Sequence, residues 1–213
     1  MASPAQLMET ISRATGLPLA TVVDIDRRLV KAGLRNIGGR GFSAARMTPL
    51  DAARLLTAVL ASPHSNTSAE AVERYMQTRV DKSRSSEGLY TASGLDDLAA
   101  LPARHAFVDA IASLIASVST GSFAKLIAAS PDGWVPHIEL YAFTRATRGR
   151  VRIAGLPNGL TASVEYHLTP AGRAKATGRT GIATASADGD LEQSRRITER
   201  TILQIAELLA QEG

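Results

Sequence analysis

The residues best suited to chemistry in this chain are basic, and their spacing suits phosphate more than catalysis. Ala20, Asp24, Arg27 and Lys31 recur at steps of three and four, which places them on one face of a helix. Arg28 lies beside them. An arginine fork matches phosphate oxygens or the guanine edge, and an aspartate can accept from cytosine N4. Asp24 can instead orient Arg27 as an i,i+3 partner. Downstream, Gly38-Gly-Arg-Gly41 forms a turn with Arg40 at its tip, flanked by Arg35 and Arg46. These residues form the candidate DNA-binding set.

A second basic group comprises Arg145, Arg148, Arg150 and Arg152, followed by Arg173, Lys175 and Arg179. It reads either as a second basic site or as edge-strand arginines that block sheet-to-sheet pairing. Tyr141, Phe143 and Tyr166 either offer stacking surfaces to single-stranded bases or fill a core.

Other chemistry finds little support. His64, His105, His137 and His167 have no metal-ligand spacing, although His137 and His167 fall on predicted strands and could be neighbours. The Gly38–Gly41 turn lacks the Lys-Ser/Thr of a phosphate loop, and no nucleophile-elbow sequence occurs. Asp96 and Asp97 suit a helix start. With no cysteine, thiolate metal sites and disulfides are excluded. No catalytic residue, metal or cofactor is expected.

The elements that must position these residues follow from pattern. Ser3 and Pro4 suit the start of a helix over 4–14, and Gly16 ends it. A second helix runs over about 18–32, with Val22, Ile25 and Leu29 apolar. Short strands near Leu34–Ile37 and Phe42–Met47 would bracket the Gly-Arg turn as a wing. Thr48 and Pro49 then open a third helix. A polar stretch over 62–68 marks a boundary. Thr67 and Glu70 have capping-box spacing for a helix to about Arg79. Helices follow over 103–118 and 122–129. Alternation then predicts strands over 138–143, 150–153 and 161–168, packed as an antiparallel sheet on those helices. A short helix starts at Thr169 and Pro170, and a last one runs over 190–211.

Composition sets the frame. The 213 residues are 45% hydrophobic and 4% aromatic, which favours helix-rich packing. The net charge of +4 is uneven. Residues 1–62 carry a surplus of +4 and residues 145–179 a surplus of +6, while 63–144 and 180–213 each stand at −3. A uniform solubilising coat would not concentrate charge in this way. The opening MASPAQLMET has no basic or apolar region of the kind a signal peptide needs, and no apolar run reaches membrane-span length. A cytoplasmic location is expected.

Leu29-Val-Lys-Ala-Gly-Leu34, Gly38-Gly-Arg-Gly41 and Met47-Thr-Pro49 together resemble winged helix-turn-helix regulators of the MarR and PadR kind, over residues 5–60. The resemblance implies that the second helix reads the major groove and that Arg40 is the wing-tip arginine, with Arg35 and Arg46 beside it. The chain departs from the pattern in its short wing strands and in the acid on the recognition face.

The expected fold is α+β: a winged helix-turn-helix at 1–62, a helical linker at 63–102, and an α+β domain at 103–213 with a small antiparallel sheet and a C-terminal helix. The expected function is a DNA-binding transcription regulator, bacterial or phage-type. It would bind double-stranded DNA as a homodimer and use its C-terminal domain for oligomerisation or a protein partner. Two alternatives are a phage packaging subunit of the small terminase kind, and a ligand-binding or enzymatic module carried by a DNA-binding head.

Overall fold

The computed structural model describes residues 2–37, 46–86, 90, 93–129, 136–144, 147–156, 161–169 and 193–210. Its class is α+β, with helices packed on a five-stranded antiparallel sheet. Helix α1, Pro4–Thr15, begins in a capping box between Ser3 and Gln6. Gly16 closes it in the left-handed region at φ 73° and returns its N–H to the Ser12 carbonyl. Helix α2, Leu19–Lys31, follows after the three-residue turn 16–18.

The wing expected after α2 is not shown. Residues 34–37 form no strand, and 38–45, with Arg40 and the Gly-Arg turn, lie outside the described residues. The backbone donors of Leu34 and Asn36 are spent elsewhere. Leu34 N–H bonds back to the Leu29 carbonyl at 2.9 Å across Gly33 (φ 70°), a Schellman closure of α2. Asn36 N–H donates to Asp51 Oδ1 at 3.1 Å. Asp51 already caps α3, Pro49–Ala61, in a capping box with Thr48.

Helix α3 is buried almost all round; Ala52, Ala53 and Ala58 allow close approach, and Leu55, Leu56 and Leu60 fill the space between. It packs on α6, Phe107–Ser119, and on α4, Ser68–Tyr75. The short α5, Asp96–Ala99, and α7, Ser122–Ala129, flank α6.

Strands β2 (His137–Phe143), β3 (Arg148–Ala154) and β4 (Ala162–Leu168) form an antiparallel meander as the alternation predicts. Two further strands complete the order β1-β4-β3-β2-β5. The helix expected to reach Arg79 ends at Tyr75, and Thr78–Val80 becomes β1 against β4. The helix expected from Asp190 begins only at Glu199, because Ser194–Thr198 pairs with β2 as β5. Helix α8, Glu199–Ala210, then packs on α1 and α6.

One continuous apolar core runs from Leu7 and Val22 through Leu56 and Ile111 to Val151 and Ile205. Segments 1–62, 63–102 and 103–213 all contribute to it. Tyr75 fastens α4 to the sheet: its hydroxyl donates to the Arg148 carbonyl (2.7 Å) and accepts from Phe143 N–H (3.0 Å). Among the described residues no single helix is long and apolar enough to cross a membrane.

Candidate nucleic-acid interface

Helix α2 owes its orientation to the Gly16 turn and to its own apolar stripe. Val22, Ile25 and Leu29 are buried with Leu7 and Ile11 of α1. The Ser12 hydroxyl ties the turn by donating to the Leu17 carbonyl at 2.7 Å. With that stripe turned inward, Ala20, Arg27 and Lys31 lie exposed along the opposite side.

Asp24 and Arg28 stand on the flank of this stripe as an i,i+4 ion pair of 3.1 Å, with 44% and 40% of their side chains exposed. A hydrogen bond from Ser65, then one from Arg28, holds the Asp24 carboxyl below its usual range. Asp24 therefore orients Arg28, where the sequence suggested Arg27, and leans toward the turn at 65–67.

Arg35 does not join them. Its Nε lies 2.6 Å from Asp26 Oδ1, its Nη2 donates to Asp26 Oδ2 at 2.8 Å, and both side chains are nearly covered. This two-point grip links α2 to the segment leading toward α3. Arg46 is exposed just before Met47, whose N–H donates to the Ala2 carbonyl at 3.0 Å. Of the candidate set, the fold thus exposes Ala20, Arg27 and Lys31 together on α2, pairs Asp24 with Arg28 beside them, and turns Arg35 inward.

The second basic group has a different setting. Arg145 lies outside the described residues. Arg148, Arg150 and Arg152 alternate with buried Gly149, Val151 and Ile153, so all three point to the outer face of β3. That strand is central, so these are not edge-strand residues. Across the outer face, Arg152 Nη1 reaches Glu139 Oε2 at 2.6 Å, and Arg196 of β5 reaches Glu139 Oε1 at 2.5 Å. Arg150 pairs with Glu165, and Arg148 Nε stands 3.6 Å from the same carboxylate. Each acid is bracketed by two arginines.

Aromatic rings extend this lattice. The Arg148 guanidinium lies 3.8 Å from the Phe143 ring centroid, and that of Arg150 lies 5.8 Å from both Tyr141 and Phe143. Burial pushes the Glu139 carboxyl up, but the bonds from Arg152 and Arg196 outweigh it and leave the group below its ordinary range. Four arginines against two carboxylates leave a positive surplus on this face.

Sheet register and burial decide two open readings of the ring residues. His137 pairs in register with Ala154 and His167 with Arg148, so they stand at opposite ends of β3, about 20 Å apart, and are not neighbours. His137 Nδ1 instead meets Glu199 at 2.9 Å. Tyr166 is fully buried, so it is core and cannot stack on a base.

Tyr166 belongs to a polar chain that no local pattern announces. His105 Nδ1 lies 2.7 Å from the Pro102 carbonyl, so that nitrogen must donate. Burial lowers the His105 pKa and so favours the neutral imidazole. In that form Nε2 accepts from the Tyr166 hydroxyl at 2.7 Å, and Tyr166 in turn accepts from Tyr90.

Comparison with protein-family models, with curated proteins and with solved structures finds no match to this chain.

Proposed function

We propose that the protein is a DNA-binding regulator that grips double-stranded DNA through the outer stripe of α2. The observation that carries this reading is the division of α2. Val22, Ile25 and Leu29 lock it against α1 through a Gly16 turn, while Ala20, Arg27 and Lys31 face out with half-buried Val23 and Val30 along one flank. A helix held in this way by a preceding helix suits insertion into a major groove. The positive surplus over residues 1–62 supplies the non-specific attraction.

The winged-helix resemblance belongs to the same reading. Arg40 at the Gly-Arg turn and exposed Arg46 would take backbone phosphates, while Arg35 serves the fold. Action as a homodimer would place two α2 helices about 34 Å apart, or a multiple of that, on successive half-sites.

A gel shift with genomic fragments at low salt tests the binding, and native mass measurement tests the assembly. Retarded bands from wild type and weakened bands from an Arg27→Ala/Lys31→Ala double variant are expected. Folded protein that retards no DNA overturns the reading. A ring of many copies would favour a packaging role over a dimeric regulator.

A further inference from the structure

The two faces of the sheet present different chemistry. Helices α3, α6 and α8 pack on the side that carries Leu140, Val151 and Ile197. The outer side carries the arginine lattice of β3 and β5, and its two signs of charge lie at different depths. Glu139 and Glu165 are only 4% and 8% exposed, whereas Arg150, Arg152 and Arg196 keep 37%, 40% and 53% of their side chains open. A ligand approaching this face therefore meets guanidinium before carboxylate. With Arg148, four arginines stand against two acids, a surplus of two positive charges. At the rim, Asp81 is met by Arg84 at 3.9 Å, and Glu199 by Ile138 N–H and His137.

The arginines are also held ready. A guanidinium has five N–H donors, and the bonds to the acids engage one nitrogen each on Arg150, Arg152 and Arg196. Further donors remain for an incoming oxyanion, and a side chain already fixed loses little rotamer freedom on binding. Along β3 the arginines recur at every second residue, roughly 7 Å apart at the rise of a strand. Successive phosphates of an extended nucleic-acid strand are similarly spaced. Half-buried Tyr141 stands among them, its ring 5.8 Å from the Arg150 guanidinium. Its hydroxyl engages Glu139 and Arg196, which anchors the ring within the lattice.

Width selects the form of nucleic acid. Five strands spaced by about 4.8 Å make a face about 19 Å across, while a major groove is about 12 Å wide. Such a face does not enter a groove. A single strand can lie along it, with phosphates on the arginine forks and an unpaired base on an aromatic ring. An acidic peptide would meet the same arginines but has no base to set on Tyr141.

We propose that the outer face of the sheet binds single-stranded nucleic acid, with phosphates on Arg150, Arg152 and Arg196 and a base stacked on Tyr141. The proposal does not rest on the reading of α2, which supplies none of these groups.

Fluorescence anisotropy of the full chain with a labelled oligothymidylate of about 15 nucleotides, across a salt series, tests it. Saturable binding is expected, unchanged in Arg27→Ala/Lys31→Ala. The triple variant Glu139→Gln/Arg152→Gln/Arg196→Gln strands no charge and removes two phosphate contacts. Its salt slope should be shallower by about 1.4, at about 0.7 per single-strand phosphate. Tyr141→Ala should weaken binding about tenfold with the slope unchanged, and Tyr141→Phe should bind as wild type does. Circular dichroism confirms that each variant is folded. Folded wild type that does not bind at low salt overturns the proposal, as does a triple variant with the wild-type slope. Binding lost in Arg27→Ala/Lys31→Ala places the strand on α2 and overturns it too. Indifference to Tyr141→Ala, or polyglutamate competing as well as unlabelled oligothymidylate, overturns the nucleic-acid assignment in favour of an acidic protein.

Discussion

Arg35 and Asp26 close on each other at 2.6 Å with side chains only 10% and 6% exposed. A basic residue next to the Gly-Arg turn thus acts as a fastener between α2 and the chain leading to α3. Removing one partner of a covered ion pair strands the other charge, at a cost of about 3 kcal/mol. Arg35→Ala is therefore expected to lower the urea midpoint with an unchanged m-value. DNA affinity of the folded fraction should stay within about twofold of wild type, because a side chain turned inward offers no phosphate contact.

Gly149 and Phe107 make a second tight relationship, where β3 crosses α6. A Cβ at Gly149 would fall 2.5 Å from the Phe107 ring. The ring has little room to retreat, because the rings of Tyr75 and Tyr166 each lie 5.5 Å from it, centroid to centroid. Gly149→Ala should cost about 2–3 kcal/mol through overpacking and lower the melting temperature by several degrees. Adding Phe107→Leu should recover part of that loss. A double variant no better than the sum of the single changes contradicts the contact.

Acid should destabilise the fold in two steps. Burial lowers the folded pKa of His105, against opposing pulls from Pro102 and Asp109. His167 is lowered chiefly by burial, although Asp81 and Glu165 pull it upward. The unfolded chain therefore binds protons that these histidines refuse when folded. Stability is complete above the unfolded value of about 6.5 and falls as pH drops from there toward the folded values. Glu139 acts lower. Its folded pKa is depressed, so its contribution is complete above the unfolded value of about 4.5 and is lost as pH falls through the folded one. Urea midpoints at pH 8, 6, 5 and 4 should decline in this order. His105→Gln should shallow the first step; an unchanged slope there would contradict the neutral Tyr90–Tyr166–His105 chain.

The starts of α1 and α3 were legible because caps are local. Ser3, Pro4, Thr48 and Pro49 sit where the sequence puts them, and the alternation of 138–143 identifies a strand unaided. The edge strands were not legible. Ser-Arg-Arg-Ile-Thr turns only Ile197 into the core and runs straight into the α8 pattern, so its strand character comes from pairing with β2. Thr78–Val80 likewise takes its partner from β4, far along the chain. The role of the β3 arginines was hidden for the same reason. Glu139, Glu165 and Arg196 surround them only once strand order is known. The outward placement of Ala20, Arg27 and Lys31 follows from helical period alone, while the inward turn of Arg35 depended on Asp26, nine residues earlier on α2.

The most direct test of DNA binding by α2 is a fluorescence-anisotropy titration of a labelled duplex with the full chain across a salt series. If Arg27, Lys31, Arg40 and Arg46 each neutralise one phosphate, log affinity should fall against log salt with a slope of about −4 per subunit. Arg27→Ala/Lys31→Ala should shallow that slope by about two while leaving the melting temperature unchanged. A slope near zero, or a double variant that binds as wild type does, would contradict the account.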